Sequence, residues 1–271
     1  MSLIETDIFG NVNDLVADSI ALIKKYEPPD GYYVCFSGGK DSIVVLDLVK
    51  KAGVKYDVHM NLTSVDPPEL LKFIRQYYPE CQMHRPEKSM FQLIRENGMP
   101  PTRLVRYCCR ILKEQFGKDR IKITGIRWEE SSRRKLRLSF EGNDNGYDDV
   151  FVHPIIEWAS DEIWDYIKSN NLPYPSLYNE GFHRIGCIGC PMGRKQRYIQ
   201  FARWPQFKKA YWNTFTKVIS DRQAKGKDMG KYYKDTETMW AWWMDENKAN
   251  NDPNQTEIYI PGTAPVNKAG V

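Results

Sequence analysis

The chain has 271 residues, 41% of them hydrophobic and 27% charged, which allows a sizeable core and excludes an intrinsically disordered or fibrous protein. A formal net charge of +4 is too small to mark a nucleic-acid binder by itself. No apolar run approaches the roughly 18–20 residues needed to cross a bilayer, so no membrane partner is expected.

The opening stretch MSLIETDIFGNVND has neither a basic n-region nor an apolar h-region, so a secretory leader is not expected and the cytoplasm is the expected compartment. In chain order, residues 11–25 carry apolar positions at helical spacing. Tyr32 to Phe36 reads as a strand, Asp41 to Ala52 as a helix and Val54 to Leu62 as an alternating strand. Pro67 to Tyr78, Ser89 to Glu96 and Arg106 to Phe116 read as helices. Ile121 to Ile126 and Val152 to Ile156 read as strands, and Ser160 as the N-cap of a following helix. Ser139 to Asp149 is polar and glycine-containing and is expected to be an exposed loop. Strands alternating with helices predict an α/β domain built on an open, mainly parallel twisted sheet with helices on both faces. The alternation stops after Pro191. The expected organisation is therefore an α/β domain over 1–190, a basic, aromatic helical extension over 191–246 and a polar tail over 247–271.

Between the first long strand and its helix lies Ser37-Gly38-Gly39-Lys40-Asp41-Ser42. Glycines 38 and 39 permit backbone angles that turn several N–H groups onto one anion. The helix that follows adds its unpaired N–H groups and the positive end of its dipole. Lys40 supplies a cation, and Ser37 and Ser42 supply hydroxyls. This is a phosphate cradle, and no Walker A pattern can be drawn through it. The plain alternative is a glycine turn at a helix start.

Two thiol pairs form the second signal, Cys108-Cys109 and Cys187-x-x-Cys190. Four thiolates satisfy either tetrahedral zinc or an iron–sulfur cluster. Adjacent cysteines leave the backbone in different directions, which a cubane with separated irons accommodates more easily than one ion does. Gly186 and Gly189 would let the backbone approach closely. Cys35, inside a strand, and Cys81, in a loop, read as structural.

FSGGKDS resembles the signature loop of the PP-loop ATP pyrophosphatase superfamily, particularly its phosphoadenosine phosphosulfate reductase branch. GIRWEESSRR is similar to that family's G-[LI]-R-x-x-x-S-x-x-R segment, and His153 to Pro191 resembles the stretch leading into its cysteine pair. The resemblance covers roughly residues 30 to 195. It implies an adenine nucleotide α-hydrolase-like fold with an adenine nucleotide at the sheet edge. It further implies a nucleotide site on Ser37, Gly38, Gly39, Lys40, Asp41, Ser42 and Gly125, with Lys40 and Asp41 catalytic, and Arg127 and Arg134 on the substrate phosphate or sulfate. For the thiol pairs it implies a [4Fe–4S] cluster on Cys108, Cys109, Cys187 and Cys190, as in adenylylsulfate-type reductases and DNA phosphorothioation pyrophosphatases.

One feature of the reductases is missing: no cysteine follows Cys190, whereas they carry a nucleophilic thiol near the carboxyl terminus. In its place stands a basic stretch, Arg194 to Lys225, with nine Lys or Arg against one acidic residue, Asp221. Phe207, Tyr211, Phe215 and Val218 fall on one helical stripe, and a basic face suits a phosphate backbone. Three readings result. The leading one is an ATP pyrophosphatase that adenylylates DNA, RNA or another acceptor for sulfur transfer, with Mg²⁺ and a cysteine desulfurase as sulfur donor. The others are a sulfonucleotide reductase with an unconventional thiol and a non-catalytic nucleotide- or nucleic-acid-binding subunit. Oligomeric state is not legible in the sequence.

Overall fold

The computed structural model describes residues 3–6, 12–142 and 150–245; the polar tail expected over 247–271 lies outside them. The chain opens with two short antiparallel strands, β1 (Ile4–Thr6) and β2 (Val12–Asp14). Helix α1 (Leu15–Lys25) starts four residues later than its apolar spacing predicts, because the Asp14 carboxylate accepts the N–H groups of Val16 and Ala17 at 3.0 Å and sets the first turn there. Then come β3 (Tyr32–Cys35), α2 (Lys40–Ala52), β4 (Tyr56–Asn61), α3 (Pro68–Tyr77) and β5 (Gln82–His84). Helix α4 (Met90–Asn97) is opened by a reciprocal cap between Ser89 and Gln92. It is followed by α5 (Tyr107–Leu112), β6 (Lys122–Ile123), β7 (Phe140–Gly142), β8 (Val150–Val152) and α6 (Ser160–Ser169). The carboxyl-terminal part is helical: α7 (Gln196–Arg203), α8 (Pro205–Ala224) and α9 (Thr236–Met244).

Six strands form one sheet in the order β5-β4-β3-β6-β8-β7, parallel throughout except for β7, which runs antiparallel to β8. Val34, Val58, Ile123 and Val152 align across four strands and are fully or almost fully buried. On this alignment rests the apolar layer that defines register. From β3 the chain steps outward through β4 and β5, then returns to the other side of β3 at β6. The carboxyl ends of β3 and β6 therefore flank the point where strand order reverses, the place where open α/β sheets bind ligands.

Two compact units divide the described residues, and they do not follow the linear cut expected at 190. One holds the chain up to Asn61, Pro67–His84 and Gln115–Gly186, and contains the whole sheet. The other begins at Cys187, near the expected boundary, but also takes in Leu62–Asp66 and Arg85–Glu114. Its core is aromatic, as the stripe on α8 predicts. Tyr211 and Phe215 pack on Trp243 at ring distances of 5.0 and 5.2 Å, and the Trp243 indole donates to the Pro101 carbonyl at 2.8 Å. Among the described residues, no helix is long and apolar enough to cross a membrane.

Candidate nucleotide site and thiol group

The turn from β3 into α2 is shaped by its own side chains. Ser42 Oγ accepts the Ser37 N–H at 3.2 Å and donates to the Gly39 carbonyl at 2.9 Å, while Ser37 Oγ accepts the Gly39 N–H at 3.4 Å. Gly38 has φ +69°, and a Cβ there would stand 2.6 Å from Ile74 Cδ1, so both the backbone angle and α3 demand glycine. The N-cap of α2 is Gly39, which has no side chain to satisfy the first N–H groups. These groups form an anion-directed amino end at the switch point. The serines expected as phosphate ligands thus also hold the loop in shape.

Lys40 is buried, and its ammonium meets both oxygens of Asp41 at 2.8 and 3.0 Å. Burial lowers the pKa of this ammonium, with Asp41 pulling the other way. Gly125, just beyond β6, packs directly on the start of α2: a Cβ there would lie 2.9 Å from the Asp41 carbonyl carbon. The two loops expected to line the site are therefore in contact.

Arg127 is only 3% exposed, and its guanidinium makes four hydrogen bonds. Nε donates to Asp41 at 2.7 Å, Nη1 to Glu129 at 2.6 Å and to the Trp158 carbonyl at 3.0 Å, and Nη2 to Ser160 Oγ at 3.1 Å. It braces the loops around Asp41 instead of standing open for a substrate oxyanion. Arg134 is more exposed and pairs with Glu130, whose carboxylate also accepts the Arg127 N–H at 2.9 Å. Ser160 is not the N-cap it resembles. Ala159 takes that position because Glu162 returns its carboxylate to the Ala159 N–H at 2.6 Å, which leaves the Ser160 hydroxyl for Arg127. Tyr178, which sequence reasoning did not single out, places its hydroxyl 2.9 Å from the Lys40 N–H as acceptor.

The four thiols of the two pairs all lie in the second unit, apart from any disulfide. Cys108 and Cys109 lie in the first turn of α5, and Cys108 donates a hydrogen bond to Cys109. That bond, joined by the Lys113 and Arg106 cations, draws the Cys109 thiol down to about 6. Cys108 is pushed the opposite way by the same bond, by burial and by the charges of Cys109, Cys187 and Cys190. Cys187 donates to Thr63 Oγ1 at 3.4 Å, and burial raises its pKa. The 187–190 knuckle is pinned by Ile188 N–H to the Val65 carbonyl at 2.8 Å, Tyr211 OH to the Ile188 carbonyl at 3.0 Å and Gly189 N–H to Gln200 at 2.8 Å. A Cβ on Gly189 would meet the Phe201 ring at 2.7 Å, whereas one on Gly186 would meet nothing within 4 Å. Only the first of these glycines serves a close approach. Among the described residues, no three His, Cys, Asp or Glu side chains are arranged as a site for a single metal ion. The four thiols are free of disulfides, with Cys108 buried and the other three half-buried, and thiolates are the donor type that iron–sulfur clusters take.

The sequence profile of the phosphoadenosine phosphosulfate reductase domain matches residues 31–192, more than half of the chain. The chain belongs to this family. The family match takes in the 37–42 loop, Arg127, Arg134 and both thiol pairs. An adenosine 5'-phosphosulfate reductase of Oceanobacillus iheyensis is 31% identical over 172 residues, 59% of this chain and 71% of that protein. An uncharacterised protein of Methanocaldococcus jannaschii is 29% identical over 252 residues, 86% of this chain, and the chain spans 50% of that relative's length. Among solved structures, a phosphoadenylyl-sulfate reductase of Candida auris in a phosphate complex aligns with TM-score 0.48 and 18% identity, over 63% of this chain and 88% of that one.

Proposed function

We propose that this family member binds the phosphates of ATP at the amino end of α2 and adenylylates an acceptor for sulfur transfer, releasing pyrophosphate. The observation that carries the reading is the position of the 37–42 loop, where a glycine-capped helix start, a buried lysine and the Gly125 backbone meet at the reversal of strand order. In this reading an acceptor oxygen attacks the α-phosphorus. The bond to the β-phosphate oxygen breaks, and Lys40 offsets the charge gathering on the departing pyrophosphate. A sulfur nucleophile such as a desulfurase persulfide then displaces AMP from the activated acceptor, DNA or RNA among the candidates.

Asp41 is the carboxylate at hand for Mg²⁺, with its side chain 24% exposed. Both its oxygens are held by Lys40, so metal binding there requires the ammonium to swing onto the phosphate. Cys108, Cys109, Cys187 and Cys190 are the residues that would hold a [4Fe–4S] cluster, which when bound supplies a redox-capable thiolate–iron centre. Lys208, Lys209 and Lys217 are exposed on α8, in keeping with a polyanionic acceptor.

The exposed lysines of α8 support adenylylation of a polyanionic acceptor over reduction of a small sulfonucleotide. The 31% identity to an adenosine 5'-phosphosulfate reductase favours the second reading, reduction of adenylylsulfate with a thiol from elsewhere. Cys81 is a poor donor for that step, since burial pushes its thiol up to about 12. The deciding assay follows labelled pyrophosphate from ATP, with DNA, RNA and a cysteine desulfurase present, beside sulfite from adenylylsulfate with thioredoxin. Pyrophosphate release that is lost in Lys40→Ala supports the first reading, and sulfite without pyrophosphate replaces it with the second.

A further inference from the structure

The hydroxyl of Tyr178 sits at the mouth of the 37–42 loop in a state that leaves half its hydrogen-bonding capacity unspent. It accepts the Lys40 N–H at 2.9 Å and would lie 3.3 Å from a Cβ built on Gly39. A phenol can accept and donate, yet this hydroxyl's own proton has no protein acceptor among the described residues. The ring is fixed by its setting. Tyr178 closes a single turn, Ser176–Tyr178, entered from Pro175, and its ring stands edge-on to Trp164 at 5.0 Å and 87°. Trp164 is in turn edge-on to Tyr174 at 5.3 Å. Burial is the main cause that raises the phenol's pKa, so the group stays a neutral donor at physiological pH. An aromatic ladder thus delivers one spare O–H to the amino end of α2, beside the Lys40 backbone N–H and the glycine N-cap.

We propose that Tyr178 is a phosphate-contacting residue whose hydroxyl donates its proton to an oxygen of the anion bound at the 37–42 loop. The inference rests on the phosphate site proposed above and adds to it a specific ligand from outside the loop. The geometry separates two roles of opposite sign. A donor to the anion strengthens phosphate binding. A mere stand-in that satisfies the Lys40 N–H in the empty site competes with it, and its removal tightens binding.

The test is equilibrium binding of inorganic pyrophosphate, ATP and adenosine to the full chain and to Tyr178→Phe, which keeps the ring against Trp164. A lost hydrogen bond to a charged oxygen predicts pyrophosphate and ATP dissociation constants about tenfold to a hundredfold higher, with adenosine unchanged. Pyrophosphate affinity that is equal or tighter in the variant overturns the proposal while leaving the phosphate site in place. An equal loss for adenosine also overturns it, because it marks a packing defect. Should the wild-type chain bind neither pyrophosphate nor ATP, the phosphate site itself fails and the proposal falls with it. If the Phe variant does not fold, 3-fluorotyrosine placed at position 178 provides the second measurement. Its fluorine resonance shifts on pyrophosphate addition if the hydroxyl meets the anion, and an unmoved resonance overturns the proposal.

Discussion

Replacing Arg127 separates a brace from a substrate ligand. Its guanidinium reaches Asp41, Glu129, the Trp158 carbonyl and Ser160 from a side chain that is 3% exposed. Removing one partner of a buried ion pair costs about 3–5 kcal/mol. Here Asp41 keeps Lys40, and Glu129, 54% exposed, regains water, so Arg127→Met should cost about 3 kcal/mol, near the bottom of that range. At a urea slope of about 2 kcal/mol/M the unfolding midpoint of the sheet unit falls by about 1.5 M. Arg127→Lys recovers part of this, since one ammonium cannot reach acceptors in so many directions.

The pH dependence has a defined sign. Hydrogen bonding from Arg127 holds the Glu129 carboxyl below its ordinary value of 4.5, against desolvation and with help from Ser160. A depressed folded-state value contributes stability above the ordinary carboxylate range that is lost as pH falls through the folded value. The stability gap between the wild type and Arg127→Met should therefore narrow as pH falls below the ordinary carboxylate range, because protonation of Glu129 removes one of the partners of Arg127. A variant within 0.5 kcal/mol (roughly the ordinary surface effect) that had lost only phosphate binding would refute the brace and restore the open oxyanion ligand expected from the sequence.

Gly125→Ala places a Cβ 2.9 Å from the Asp41 backbone, and such overpacking should cost about 1–3 kcal/mol, measured by denaturation, and weaken pyrophosphate binding by displacing the loop. In metal-free protein, alkylation mapped by mass spectrometry should modify Cys109 first, with a half-point near pH 6, and leave Cys81, pushed to about 12, untouched at pH 8; equal labelling would refute the assigned hydrogen bond. Asp57 faces desolvation that would raise its pKa, outweighed by Arg120 and His59, so Arg120→Met should raise that pKa as read by NMR titration. Anaerobic purification should yield about four iron and four sulfide per chain, a [4Fe–4S] complement, and Cys187→Ser should lower it; a zinc-loaded, iron-free wild type would contradict the cluster.

Much of the sheet domain was legible because local chemistry and tertiary placement agree there. The 32–36 and 41–52 expectations land within a residue of β3 and α2, since an apolar run, a glycine pair and a helix period all point the same way. Strands β5 and β7 were missed because each has three residues, too few to display a period of two. The expected strand over 121–126 shrinks to Lys122–Ile123, as the chain leaves the ladder toward Gly125 and Arg127. The 37–42 turn was legible because its residues are contiguous. The long-range contacts around it were not: Tyr178 meets Lys40 across 138 positions and Ser160 meets Arg127 across 33, separations that no local pattern encodes. Arg127 shows the same limit, because its residue type announces an anion while only the fold reveals that the anion is Asp41.

The most direct test of the nucleotide site is a crystal structure of the chain with an ATP analogue that resists cleavage between the α- and β-phosphates. The account predicts phosphate density against the N–H groups that open α2, with Lys40 turned from Asp41 onto the phosphate chain and Tyr178 within hydrogen-bond distance. Phosphates bound elsewhere, with the Lys40–Asp41 pair intact and the 37–42 loop empty, would contradict it.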